Sequence, residues 1–284
     1  MISKHISHRF NLKKVIDAIC VYIIILAITF IFVFPITWLI LASFSKSGSI
    51  YSFDGFFPTA YGIESFKNLF TDTGIYNYPR WFLNTLFIAS MSCLIGTFLT
   101  ILTAYTMSRL RFKSRKTLMK VTLILGMFPS FMSMIAIYIL MTQFNLINNL
   151  WGLILIYSAS APLGYMVQKG FFDTIPYEMD EAAMMHGANK FQIFLHITLP
   201  IAKPMIVYTA LTSFTWPWSD YILPKLLLNQ KDLYTVAVGL MSLGDDQFSR
   251  FAAGSIFIAV PIVILYFLLS KYMVSGLAAG SVKG

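Results

Sequence analysis

Charge is scarce in this chain. Of its 284 residues only 12% are Asp, Glu, Lys or Arg, against roughly 25% in soluble globular proteins. Too few solvated groups are present to cover a folded surface in water, which excludes an ordinary soluble domain. Cysteine is scarcer still. Cys20 and Cys93 both fall within apolar stretches, so neither a disulfide framework nor a thiolate metal site follows. The four histidines, His5, His8, His186 and His196, are scattered, without HExxH or another metal spacing, and no phosphate loop of the form GxxxxGK[ST] occurs. The sequence therefore offers no catalytic constellation, no metal site and no cofactor site of its own. Carboxylates inside apolar runs, which would mark an ion path, are also wanting. Only Asp220 comes close. Neither such carboxylates nor clear inverted repeats speak for an ion-coupled secondary transporter.

Apolar residues are plentiful: 57% of the chain is hydrophobic, with 26 Phe, 15 Tyr and 15 Met. A helix crosses the hydrocarbon core with about 20 apolar residues at 1.5 Å each. Charge-free windows give spans near 16–42, 82–107, 118–141, 150–169, 201–223 and 251–274. The first contains Pro35. It follows Lys4, Arg9, Lys13 and Lys14 as a signal peptide would, but exceeds an h-region of about 7–15 residues and is read as a retained helix. The stretch 121–168 has no charge at all, and as one helix it would be about 70 Å long. The polar patch 143–149 must break it. The expected fold is an all-α integral membrane protein with six transmembrane helices in one domain, residues 1–284.

Although the net charge is +9, the basic residues sit in short loops, which speaks for orientation in a bilayer and against nucleic acid. With the N-terminus inside, one side of the membrane collects fifteen of the 21 Lys and Arg, including Arg109, Arg111, Lys113, Arg115, Lys116 and Lys120. By the positive-inside rule both termini are cytoplasmic, and so is the polar segment 175–204. The longest external segment, 43–80, holds an amphipathic stretch at 63–70.

The segment 175–204 reads as two short helices around a turn. Pro176 suits a first helical turn, and Glu178, Asp180 and Glu181 favour its positive end. Gly187 is the natural stop. Asn189 with Gln192 forms a capping-box pair for the second helix, which should end before Pro200. Within it stands the pattern Glu181-Ala182-Ala183-x3-Gly187-x9-Ile197-x-Leu199-Pro200. This resembles the EAA motif of binding-protein-dependent ABC importer permeases. The resemblance implies a type I importer permease fold in a bacterial plasma membrane. It makes 175–200 the coupling loop to a separate ATPase, with Glu181, Ala182, Ala183, Gly187, Ile197, Leu199 and Pro200 its residues. It further implies a heterodimer with a second related permease, two ATPase subunits that bind ATP and Mg, and an extracytoplasmic solute-binding protein. Met184-Met185-His186 departs from the charged residue and Asp that many relatives carry before the Gly.

Two further stretches narrow the resemblance to sugar permeases. Residues 275–284 look like the tail of the maltose-type permease, which implies that Gly280, Val282, Lys283 and Gly284 reach toward the ATPase as a non-helical strap. Trp216-Pro217-Trp218-Ser219-Asp220-Tyr221 resembles the fifth span of sugar permeases, with Trp216, Trp218, Asp220 and Tyr221 a candidate wall of the translocation path. The expected cargo is a di- or oligosaccharide, maltodextrin first. The alternatives are an ion-coupled secondary transporter, or an ABC permease for a sugar phosphate or glycerol phosphate.

Overall fold

The computed structural model describes residues 12–49, 51, 53, 56–74, 76–159 and 162–280. Among them regular structure is helical, with one isolated bridge between Ser45 and Tyr61. The chain opens with α1 (Leu12–Ser43), apolar on every side. None of its spanning window is buried, and its main helix neighbour is the last helix. Helix α2 (Glu64–Thr71) falls on the expected amphipathic stretch and buries Leu69.

The spine is α3 (Tyr78–Arg109), 32 residues and so about 48 Å long. One face carries Ala89, Ser92, Gly96, Thr97, Thr100 and Ala104, all buried. Small residues let helix backbones approach closely in a membrane protein: a Cβ on Gly96 would lie 3.5 Å from Cα of Ser158. Against this face pack α6 (Leu150–Ala159), α7 (Pro162–Thr174) and α11 (Lys203–Ser219).

Between α3 and α6 run α4 (Arg115–Gly126) and α5 (Ser130–Gln143), bent by 104° to each other. One span over 118–141 was expected, and it is broken. Pro129 has no N–H to continue the ladder and disfavours the helical conformation at Phe128. The break expected at 143–149 is a turn in which Asn145 and Asn148 take left-handed φ of 56° and 55°. Asn148 N–H donates to Leu227 O at 2.9 Å, and its Oδ1 accepts from Asn229 N at 2.6 Å.

After α7 come α8 (Tyr177–Met185), α9 (Lys190–Ile193), a π-helical turn (Phe194–Thr198) and α10 (Leu199–Ile201). Beyond α11 follow α12 (Ile222–Leu227), α13 (Val236–Met241) and α14 (Phe248–Gly280). The 275–280 stretch is helical, where a non-helical strap was expected, since Leu277, Ala278 and Ala279 are strong helix formers. Val282, Lys283 and Gly284 lie outside the described residues. Among the described residues four helices are long and apolar enough to cross a membrane, or up to six if each sharply bent pair counts as one span.

The bundle has two poles. At one, the start of α3 meets the start of α14: Tyr78 Oη donates to Gly254 O at 2.8 Å. The segment after α1 joins them, with Ser249 N donating to Gly48 O at 2.9 Å. Asn84 Nδ2 reaches Asp232 O and Tyr234 O at 2.8 and 3.0 Å, tying the α12–α13 connection to the spine. The other pole holds the end of α3, the end of α7 and the segment from α8 to α10.

Candidate functional site: the α8–α10 elbow

The elbow is built from local rules. Pro176 precedes α8 with φ −55° and ψ 136°, and Glu178 and Asp180 stand in its first turn. The helix ends in a Schellman motif. Gly187, at φ 85°, donates to Met184 O at 2.9 Å, while Ala188 N–H returns to Ala183 O at 3.0 Å. Asn189 and Gln192 then form the expected capping box, with reciprocal bonds of 2.8 and 2.9 Å. The second arm runs past Pro200 to Ile201 instead of stopping before it. A regular helix would press the proline ring on the carbonyl four residues back; here the coil widens into the π turn, with Leu199 N–H on Phe194 O. At Ala202, fully buried, the chain then bends by 77° into α11.

Two side chains of α3 hold the two arms. Arg109, the last residue of α3, is an ion-pair partner of Asp180 in α8 at 3.5 Å, the side chains only 4% and 7% exposed. Its Nη2 donates to Phe172 O at 3.0 Å and Ile175 O at 2.8 Å, closing the end of α7. Tyr177 returns a bond from Oη to Arg109 O at 3.1 Å, and the guanidinium lies 5.2 Å from its ring centroid. One turn earlier, Tyr105 Oη donates to Lys190 O at 3.2 Å, and its ring lies 4.6 Å from that of Phe194. Beside them Ser108 Oγ donates to Asp173 Oδ1 at 2.6 Å, and Lys169 pairs with Asp173.

The opposite face of the elbow is open. Glu181, Ala182, Gly187 and Pro200 are exposed, and Ala183, Ile197 and Leu199 are half-buried. Around them Met179, Met184, Phe191 and Leu195 are exposed, and Met185 is 88% exposed. Exposed apolar side chains gathered on one short segment suit a protein or membrane contact.

The fifth-span stretch divides. Trp218 is a core residue, 1% exposed, with Phe82 and Phe214 at centroid distances of 5.1 and 6.0 Å. Asp220 ends α11 and joins two other elements: its Oδ2 accepts from Tyr157 Oη at 2.9 Å, and its Oδ1 accepts from Leu223 N at 3.4 Å. Trp216, 62% exposed, and the half-buried Tyr221 stay accessible. Gly280 ends α14, so of the tail residues only its backbone is described.

The family model for the binding-protein-dependent transport system inner membrane component matches residues 96–278. The chain belongs to this family. The permease is 35% identical to the maltodextrin transport system permease protein MalD of Streptococcus pneumoniae, over 96% of this chain and 98% of that one. It is 34% identical to the galactooligosaccharides transport system permease protein GanQ of Bacillus subtilis, again over 96% and 98%. In fold it is similar to a bacterial ABC transporter involved in the import of the acidic polysaccharide alginate, with a TM-score of 0.73, 19% identity, and 95% and 99% of the two chains covered. The permease is thus a multi-pass membrane transport component and not an enzyme. The ion-coupled alternative falls away.

Arg109 and Tyr105 were missed as site residues. By sequence, Arg109 is one of a cluster of orientation charges. Its spacing was the available signal, because Thr97, Ile101, Tyr105 and Arg109 recur every four residues on one helix face, and all four are buried.

Proposed function

We propose that this permease translocates an oligosaccharide, with maltodextrins the first candidate, as one half of a heterodimer with a second, related permease. Two ATPase subunits, holding ATP and Mg, dock on the α8–α10 elbow, and a solute-binding protein delivers the sugar at the opposite pole. The elbow pole is cytoplasmic, in keeping with the excess of Lys and Arg there. The observation that carries this reading is the elbow itself: an apolar, solvent-facing knob whose back is pinned to the spine. Glu181, Ala182, Ala183, Gly187, Ile197, Leu199 and Pro200 form the docking and bending residues. Gly280, Val282, Lys283 and Gly284 extend toward the ATPase. Trp216 and Tyr221 line the sugar path, while Trp218 and Asp220 hold that wall in shape.

Maltodextrin and galactooligosaccharide permeases among the relatives support a carbohydrate cargo. The test is to pull the tagged chain from native membranes, assay ATPase activity on the recovered complex, and measure uptake of radiolabelled maltotriose against unlabelled competitors. A second permease and an ATPase in the complex, with uptake that requires ATP, is the expected result. Recovery of the chain alone would remove the coupling role.

A further inference from the structure

The contacts behind the elbow raise a question that docking alone leaves open: which helix the elbow moves. A knob joined to the bundle only through its own chain ends, α7 and α11, would pass a push to those two helices. This elbow has a third attachment. Both of its arms are fastened to α3, which is remote in sequence. Arg109 holds α8 through Asp180 and Tyr177, and Tyr105 holds α9 through the Lys190 carbonyl and the Phe194 ring.

The Arg109 node is poorly suited to simple stabilisation. Burying two charges costs more than their attraction returns unless every remaining polar atom is satisfied. Here Arg109 Nε and Asp180 Oδ1 are buried without a partner. The node does supply geometry. A planar guanidinium makes several bonds in fixed directions. This one ties the Phe172 and Ile175 carbonyls, at and just beyond the end of α7, and the first turn of α8 to the end of α3 in a single joint. Around the joint, Tyr105, Phe172, Ile175, Phe194 and Ala202 form a separate apolar cluster at the elbow pole.

Resting on the coupling role proposed above, we infer that Arg109 and Tyr105 are positioning residues that make α3 the element driven by the elbow. When the elbow is displaced, α3 travels with it as one body, and its motion is passed to α6 and α11, which pack along its length. Breaking the joint leaves docking and ATP hydrolysis in place but disconnects them from the bundle. The quantity it alters is sugar moved per ATP consumed. A merely structural contact, once lost, would lower uptake and hydrolysis together.

The experiment uses the importer complex recovered through the tagged chain, reconstituted in proteoliposomes, with uptake of radiolabelled maltotriose and phosphate release measured in parallel. Arg109→Gln should co-purify the ATPase and hydrolyse ATP, while uptake per ATP falls roughly tenfold, the size of effect that 1.4 kcal/mol of lost coupling gives. Arg109→Lys restores the charge but not the fork and should recover part of the ratio. Tyr105→Phe removes one hydroxyl, leaves the apolar cluster intact, and should lower the ratio by a smaller factor. A wild-type ratio in Arg109→Gln overturns the inference. If that variant does not assemble, Tyr105→Phe decides, and an unchanged ratio there overturns it equally. A wild-type chain that recovers no ATPase would instead remove the coupling role on which the inference rests, so the two failures are distinguishable.

Discussion

The indole of Trp81 lies against the backbone of Gly239 so closely that a Cβ at that position would overlap the ring. The contact joins the start of α3 to α13, and Trp81 Nε1 adds a 2.8 Å bond to Lys231 O. Gly239→Ala forces either the indole or α13 to move, and overpacking of this kind costs about 1–3 kcal/mol. The melting temperature of the detergent-solubilised protein should fall. An unchanged value would mean that α13 floats on the spine instead of being seated on it.

The two tryptophans of the 216–221 stretch should behave oppositely. Trp218→Ala empties a buried site beside Phe82 and Phe214 and should cost about 3–5 kcal/mol, seen as poor yield or early melting. Trp216→Ala leaves the core alone. It should raise the KM for maltotriose with little change in stability, because a ring face of the proposed path is lost. Equal effects on stability would dissolve the distinction.

How much of this was legible in the sequence varies with the range of the interaction. The elbow was readable almost residue by residue, because a glycine stop and a capping box are local chemistry: Gly187, Asn189 and Gln192 act within a few residues of themselves. The long apolar helices α1, α3 and α14 were readable for the same reason, since an uninterrupted apolar run is a local feature of the sequence. The bend at Pro129 and the π turn around Leu199 were not, because a proline can end, kink or widen a helix, and neighbouring helices decide which. Arg109 was the largest omission. Its burial depends on Asp180 and on the Phe172 and Ile175 carbonyls, all more than sixty residues away, and only its four-residue spacing from Thr97, Ile101 and Tyr105 sets it apart from Arg111 or Lys113. The role of Asp220 in joining α6, α11 and α12 was hidden for the same reason: Tyr157 lies far away in the chain.

That joint gives a third prediction. Asp220→Ala removes the carboxylate that accepts from the Tyr157 hydroxyl and that faces the first turn of α12. Losing a hydrogen bond to a charged group costs about 1.5–3 kcal/mol. Asp220→Asn keeps an acceptor oxygen and should lose less. The order alanine below asparagine below wild type, in thermal stability, is the expected outcome; loss of sugar affinity at unchanged stability in both variants would place Asp220 on the path after all.

Not every ion pair in the fold carries such a penalty. Arg250 and Asp72 meet at 3.0 Å, but the Asp72 side chain is 48% exposed. Exposed pairs contribute about 0–1 kcal/mol. Asp72→Asn should therefore shift the melting temperature barely at all, and uptake should be unaffected. A large loss would mean that the segment between α1 and α3 is held by this pair and not by its aromatic contacts, such as that of Phe44 with Phe66 at 4.9 Å.

The sharpest test of the elbow is Gly187→Asp. Nothing lies within 4 Å of where a Cβ would stand, so the substitution meets no steric barrier from the rest of the chain. Its cost is conformational. A non-glycine residue held at φ 85° loses on the order of 1–2 kcal/mol, too little to unfold the helical bundle but enough to reopen the turn. Aspartate also puts a charge at the centre of the apolar patch formed by Met184, Met185 and Phe191. Both effects fall on the exposed face of the elbow and spare the spine, since Arg109 and Tyr105 keep their partners. Membrane insertion, read by fractionation and immunoblot, should match wild type while maltotriose uptake is abolished. Gly187→Asn, which tolerates the left-handed conformation without a charge, should retain a measurable part of it. If Gly187→Asp transports normally, the elbow is not where the ATPase engages.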